Sequence, residues 1–384
     1  TSERGFPRDQ YSHRLARAQA LMHQHGLSAM LLSTEPEVRY FTGYLTRFWE
    51  SPSRPWFLVV PAIGDPIAVI PSIGAPLMKT TWISDVRTWV SPNLTDDGVG
   101  LLGDTLREVV GPSGAIGVPS GHETHVRMPL ADLDRLKVII TPLQLSGDHD
   151  IMRSLRMVKS EREIAKISTA CAITDRAFAR VHEIAQAGHP LVDVFRQFQI
   201  LCLQEGADWV PYLAGGAGPF GYGDVISPAT ETPLKSGDVL MLGTGLVWDG
   251  YFCDFDRNFA IGSANDIVQS AYKRLIDATE VGFQAARPGA TASDVFHAMH
   301  AMLGAGDAAS DPGRLGHGLG MQLTEWPSLI AHDHTVLEPG MVLTLEPSIP
   351  TSGGKMIVHE ENIVILETGA RYLSSVAPKS LPVI

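Results

Sequence analysis

Residues 234–262 read LKSGDVLMLGTGLVWDGYFCDFDRNFAIG. Val239–Leu242 is an apolar run bounded by Gly237 and Gly243, and a second run, Tyr251–Ile261, follows Asp249-Gly250. An Asp-Gly pair between two such runs predicts a hairpin, because both turn positions must accept positive φ. Side chains alternate along a strand, so Asp254 and Asp256 point the same way. Two neighbouring carboxylates in an apolar strand repel each other and cost desolvation, and a cation or a partner such as Arg257 beside them relieves both. Taken alone, the same pattern also describes a solvated polar strand face.

Three later stretches weigh on that choice. Gly316-His317-Gly318-Leu319-Gly320 sets one imidazole among glycines that permit close backbone approach. Leu343-Thr344-Leu345-Glu346-Pro347 ends an apolar strand on an acid, and Val358-His359-Glu360-Glu361-Asn362-Ile363-Val364-Ile365 carries acids into another. One imidazole with several carboxylates at strand ends describes an oxygen-rich divalent site suited to Mn, Fe, Co or Zn.

Asp254 in GYFCDFDRNF, His317 in GHGLG, Glu346 in TLEPS and Glu361 in HEENIVI resemble, in order, the metal-ligand motifs of the pita-bread metallopeptidases. That family holds methionine aminopeptidase, aminopeptidase P, prolidase and the non-peptidase creatinase. The resemblance covers roughly residues 150–370 and is more specific for fold than for reaction. It implies an α/β N-terminal domain over 1–150 and an α+β pita-bread (creatinase/aminopeptidase) domain over 151–384, in a homodimer. The stretch Glu37-Val-Arg-Tyr-Phe-Thr-Gly-Tyr44 resembles the N-terminal domain of the aminopeptidase P, prolidase and creatinase branch, which methionine aminopeptidase lacks.

The resemblance also implies roles for single residues. Asp254, His317, Glu346 and Glu361 are the expected metal ligands, with Glu346 as proton shuttle. The family has a fifth ligand, an Asp eleven residues before Asp254, where this chain has Gly243. An internal repeat supports that placement: LKSGDVLML at 234–242 recurs as LEPGMVLTL at 337–345, and the next residues are Gly243 and Glu346. One tightly held divalent metal per chain is therefore expected, with Asp256, at a position the family usually gives to Thr, as an additional candidate ligand. Peptidases of the family carry a His seven residues after the ligand His, where this chain has Thr324, and another upstream of the hairpin, where Asp224–Thr230 has none. His359, two residues before Glu361 and so on its strand face, is the candidate catalytic substitute beside His317 and Glu346. Thr324, Trp326 and His332, the last in the loop with His334 after Trp326-Pro327, are the candidate substrate-binding residues.

The remaining features narrow the class. A length of 384 residues suits two domains with ample core. A formal net charge of −12 argues against nucleic-acid or anionic-membrane partners. Cys171, Cys202 and Cys253 are too few and scattered for a disulfide framework, which fits a reducing cytoplasm. No run approaches the roughly 20 apolar residues that span a bilayer.

In the N-terminal part, Tyr11–His25 reads as an amphipathic helix ended by Gly26, and Leu27–Ser33 as a buried strand. Trp56–Pro61 pairs with Pro66–Ile70 around Gly64-Asp65, Gly100–Val110 is helical and Ala115–Pro119 is a strand. The aromatic residues Phe48, Trp49 and Trp56 read as core rather than pocket. Beyond the boundary, Ser160 and Glu163 form a capping box opening a long helix expected to end near Gly188. Further helices are expected over Leu191–Gln204, Ile267–Ala286 and Ala292–Leu303, and a loop over the glycine-rich Gly215–Gly223.

Water held by a divalent cation can lose a proton near pH about 7, so such a site can hydrolyse an amide. The resemblance thus implies a metal-dependent hydrolase like Xaa-Pro aminopeptidase or prolidase, acting on a dipeptide or related small amide. The departures at Gly243, Thr324 and 224–230 keep a second class open: a creatinase-like hydrolase, a lyase of a small nitrogen or sulfur compound, or a silent binding protein.

Overall fold

The computed structural model describes residues 3–52, 54–304 and 313–384. By its internal contacts the chain divides into two units, Glu3–Arg156 and Met157–Ile384.

The first unit is an α/β sandwich. The Arg8–His25 helix starts three residues earlier than Tyr11, directly after Pro7, and stops where Gly26 turns left-handed at φ 68°. Its buried stripe is Tyr11, Leu15, Ala18 and Met22. A six-stranded sheet follows, ordered Asp85–Trp89, Ile67–Pro71, Phe57–Pro61, Leu27–Leu32, Ala115–Val118, Gln144–Gly147. The central pairs are antiparallel, and parallel pairs flank them on both sides. Helices Val99–Val110 and Leu130–Ile140 cover the sheet through Leu102, Leu106, Leu136 and Ile140, packed on Leu31, Val59 and Ile116. Trp56 is buried, as expected of core, whereas Phe48 is exposed.

The second unit sets helices against antiparallel sheets. Ser160 caps the Glu161–Ala179 helix with a complete capping box. That helix ends well before Gly188: Arg180 N–H closes on the Ala177 and Phe178 carbonyls, and a 3-10 turn, Val181–Glu183, follows. Leu191–Gln204 and Ala292–Leu303 are helical as expected, and Asp266–Ala285 is helical one residue earlier at each end than expected. One sheet orders Phe255–Ala260, Val239–Trp248, Trp209–Gly218, with Tyr251–Phe252 closing the predicted hairpin. Its turn, Asp249-Gly250, has positive φ at both positions. A second sheet orders Glu325–Ser328, His317–Gly318, Val342–Leu345, Glu361–Ile365, Ala370–Tyr372.

The expected loop at 215–223 is partly strand, since Trp209–Gly218 pairs along Val239–Trp248. Its glycines serve approach rather than flexibility. A Cβ on Gly215 would lie 2.2 Å from the Met241 carbonyl oxygen.

Candidate metal centre

The sequence repeat is a structural repeat. Gly237 and Gly340 share left-handed φ values of 96° and 92°. Each sits in a turn closed by the same hydrogen bond, Asp238 N–H to Lys235 O (3.0 Å) and Met341 N–H to Glu338 O (3.1 Å). Each turn launches an inner strand whose antiparallel neighbour carries an Asn: Met241 lies opposite Asn258, and Thr344 opposite Asn362. These Asn side chains stitch the halves together. Asn258 Nδ2 donates to Val358 O at 2.6 Å, and Asn362 Nδ2 donates to Asp254 O. Asp254 N–H donates back to Asn362 Oδ1 at 2.9 Å. The acid-bearing segments 254–256 and 358–360 thereby meet, and Glu360 N–H donates to Asp256 Oδ1 at 3.1 Å.

A cavity of about 160 Å³ opens at this junction. Asp254, Asp256, Glu346 and Glu360 line it with His317, Arg314, Tyr212 and Thr324. Side chains of Asp254, His317 and Glu360 each present a ligand atom, all within 4.8 Å of one another. The glycines beside His317 are demanded by strand contact: a Cβ on Gly316 would lie 2.2 Å from Thr344 O, and one on Gly318 2.0 Å from Trp326 O. His317 N–H donates to Thr344 Oγ1 at 3.2 Å. Its Nδ1 lies 2.8 Å from the Gly318 carbonyl oxygen, which only accepts, so Nδ1 carries the proton. Nε2 then presents its lone pair 3.5 Å from Asp254 Oδ2.

The electrostatics of the cavity call for a cation. Burial, together with the charges of Glu346 and Asp256, pushes the Asp254 carboxyl well above its usual range. Burial does the same to Asp256, and to Glu360 with help from Asp254 and Glu346. Glu346 is pushed up by burial to about 7, while burial lowers His317 to about 4 and keeps it neutral. Glu360 Oε1 is buried without a hydrogen-bond partner. Converging carboxylates, a neutral imidazole with a fixed tautomer and an orphaned oxygen are the donor set of a divalent cation.

Of the sequence candidates, Asp254, Asp256, His317, Thr324 and Glu346 line the cavity. Glu361 does not. It pairs across the sheet with Leu345, which turns its side chain to the opposite face from Glu360. There it is fully buried, bonded to Arg257 Nη2 at 3.0 Å, to the Ala377 N–H at 2.8 Å and to the Ser374 hydroxyl. Burial opposes its ionisation, but the Arg257 charge and the bonds from His359 and Ser374 hold its carboxyl down to about 2. His359 shares that face, as period two requires, with Nε2 3.3 Å from Glu361 Oε1 and Nδ1 3.7 Å from Asp256 Oδ1. It lies behind the cavity rather than in it. Trp326 is buried outside the cavity lining, and His332 and His334 are exposed. Sequence reasoning missed Glu360, Tyr212 and Arg314. Only Glu360 carried a signal, as the acid one residue from the one chosen.

Residues 165–367 match metallopeptidase family M24, and residues 14–158 match the creatinase/prolidase N-terminal domain. The probable dipeptidase PepE of Mycobacterium tuberculosis is 32% identical over 374 residues, spanning 96% of this chain and 95% of that protein. The Xaa-Pro dipeptidase of Pyrococcus horikoshii is 30% identical over 259 residues, spanning 64% of this chain and 71% of that protein. Among solved structures, dipeptidase PepE from Mycobacterium ulcerans superposes with a TM-score of 0.85 at 29% identity, covering 99% of both chains. A prolidase from Thermococcus sibiricus shares the fold, with a TM-score of 0.86 at 22% identity over 97% of this chain and 99% of that one. Together these matches show that the chain is a metal-dependent hydrolase of metallopeptidase family M24, built as a creatinase/prolidase N-terminal domain followed by a pita-bread domain.

Proposed function

We propose that this chain is a dipeptidase of the Xaa-Pro type, holding one divalent cation per chain on Asp254, His317 and Glu360 with Glu346 beside them. The observation that carries the reading is the convergence of the Asp254, His317 and Glu360 ligand atoms on one small cavity. The oxygen-rich set with one imidazole fits Mn, Fe, Co or Zn. The similarity to proteins named dipeptidase and Xaa-Pro dipeptidase supports the substrate class.

A divalent cation, when bound, supplies Lewis acidity that polarises the scissile carbonyl and makes water more acidic. The chain's own residues do the rest. Glu346, which lines the cavity beside the Asp254, His317 and Glu360 ligand atoms, accepts the proton of the attacking water and returns it to the departing nitrogen. Neutral His317 keeps its Nε2 lone pair aimed into the site because Gly318 O holds the proton on Nδ1. Thr324 offers a hydroxyl where it lines the cavity, and the small volume admits a short amide rather than a folded chain. Three buried free cysteines fit a reducing cytoplasm, and among the described residues no helix is long and apolar enough to cross a membrane. A homodimer is part of the same reading.

Elemental analysis of the protein before and after soaking in Mn²⁺, paired with an Xaa-Pro dipeptide assay with and without chelator, tests this. About one Mn²⁺ per chain and chelator-sensitive cleavage are expected. A chain that binds no Mn²⁺ after soaking refutes it, and one that binds Mn²⁺ but leaves dipeptides intact refutes the substrate.

A further inference from the structure

Behind the cavity, on the face opposite Glu360, lies a buried ionic assembly. Arg257 Nη1 donates to two backbone carbonyls, Asp256 O at 2.6 Å and Glu360 O at 3.2 Å. Nη2 donates to Glu361 Oε2 at 3.0 Å and to Ser375 O. The guanidinium lies over the Phe255 ring, 4.8 Å from its centroid. Glu361 is itself held by Ser374 and the Ala377 N–H, so its carboxylate is a fixed anchor.

The two carbonyls are not arbitrary. They belong to the residues that present acids to the cavity from the two halves of the repeat. A single torsion, ψ, separates each carbonyl from its own Cα–Cβ bond, so a guanidinium that holds both carbonyls restrains where both side chains aim. Arg's planar fork reaches three carbonyls and a carboxylate at once, which an ammonium cannot do in that plane.

We propose that Glu361 is a positioning residue: acting through Arg257, it locks the Asp256 and Glu360 peptide units so that their carboxylates face the cation cavity. The proposal rests on the reading that this cavity binds a divalent cation. Without the Glu361 charge, buried Arg257 loses its anchor and its two carbonyls lose their common reference.

Titration of Mn²⁺ into the full-length metal-free chain by calorimetry tests this, run beside thermal melts of the same samples. Glu361→Gln keeps the shape and removes the charge. It should still bind one Mn²⁺ per chain, with Kd raised about 10- to 100-fold, the usual effect of removing a group that orients a ligand. Arg257→Lys should match it, whereas Glu360→Gln should abolish tight binding. If Glu361→Gln folds poorly, Arg257→Lys carries the test. Kd unchanged from wild type in both variants, whatever their melting points, overturns the proposal and leaves a plain strut. Abolished binding in Glu361→Gln, equal to that in Glu360→Gln, also overturns it by making Glu361 a ligand. Wild-type protein without Mn²⁺ binding overturns the cavity reading itself, an outcome no variant can mimic.

Discussion

Replacing Lys159 by Met should destabilise the catalytic unit sharply. Lys159 Nζ donates to Glu325 Oε2 at 3.0 Å, and the two side chains are only 2% and 1% exposed. Glu325 Oε1 accepts the Gln322 N–H at 3.1 Å, so the pair braces the bend that carries Thr324. The Glu325 strand also pairs with Gly318, next to His317. Met fills the space of the lysine stem but removes the Lys159 ammonium from the buried Glu325 carboxylate. Removing one partner of a buried pair costs about 3–5 kcal/mol. That is a large share of the roughly 5–15 kcal/mol that holds a domain together. At about 2–4 °C per kcal/mol for a unit of this size, the melting midpoint should fall by roughly 6–20 °C. Circular dichroism melts of the metal-free chain measure it, and kcat/KM should fall as Thr324 and His317 loosen. Exchanging both partners, Lys159→Met with Glu325→Leu, should recover more than half of the loss, because no charge is then buried unpaired. A midpoint within about 3 °C of wild type for Lys159→Met would refute the charge argument. So would a double variant no better than the single one, since the cost would then be one of packing.

Two further predictions concern the cavity and the N-terminal unit. Gly243→Asp introduces a carboxylate at the position equivalent in the repeat to Glu346, but its Cβ would stand 3.2 Å from that of Asp256. The metal-free variant should lose about 1–3 kcal/mol to crowded charge and gain more from Mn²⁺ than wild type does, by differential scanning calorimetry; an Mn²⁺-induced shift no larger than that of wild type would sink the idea. Glu37, deeply buried, has its carboxyl raised from its ordinary value of 4.5 chiefly by desolvation, against the pull of Thr34 and Arg156. The unfolded carboxyl ionises first, so the folded state binds more protons above pH 4.5 and stability drains as pH rises through that window. Glu37→Gln should remove that slope in urea unfolding of the N-terminal unit, and a difference from wild type that stays constant with pH would contradict it.

Much of the site was legible because it rests on local rules. Asp249-Gly250 announced the hairpin through its turn chemistry, and the Ser160–Glu163 box announced a helix start. Period two placed Asp254 and Asp256 on one face, and both line the cavity. The repeat at 234–242 and 337–345 exposed the duplicated turn and strand, down to two left-handed glycines. The glycine-rich strand Trp209–Gly218 was hidden, because glycine has poor strand propensity and its purpose there is to let Met241 O approach.

The choice between Glu360 and Glu361 belonged to the tertiary structure alone. Adjacent acids on a strand face opposite ways, and nothing in His359-Glu360-Glu361-Asn362 says which way is inward. Alternation correctly paired His359 with Glu361, yet that shared face looks onto Arg257 and not onto the cavity. Cross-strand pairing of Glu361 with Leu345, and the lock of Asn362 on Asp254, set the sense of the strand. A sequence specifies which residues share a face, since that follows from backbone geometry. Which face meets the cavity depends on register against a strand far away in the chain, and that is decided only when the two halves close on each other.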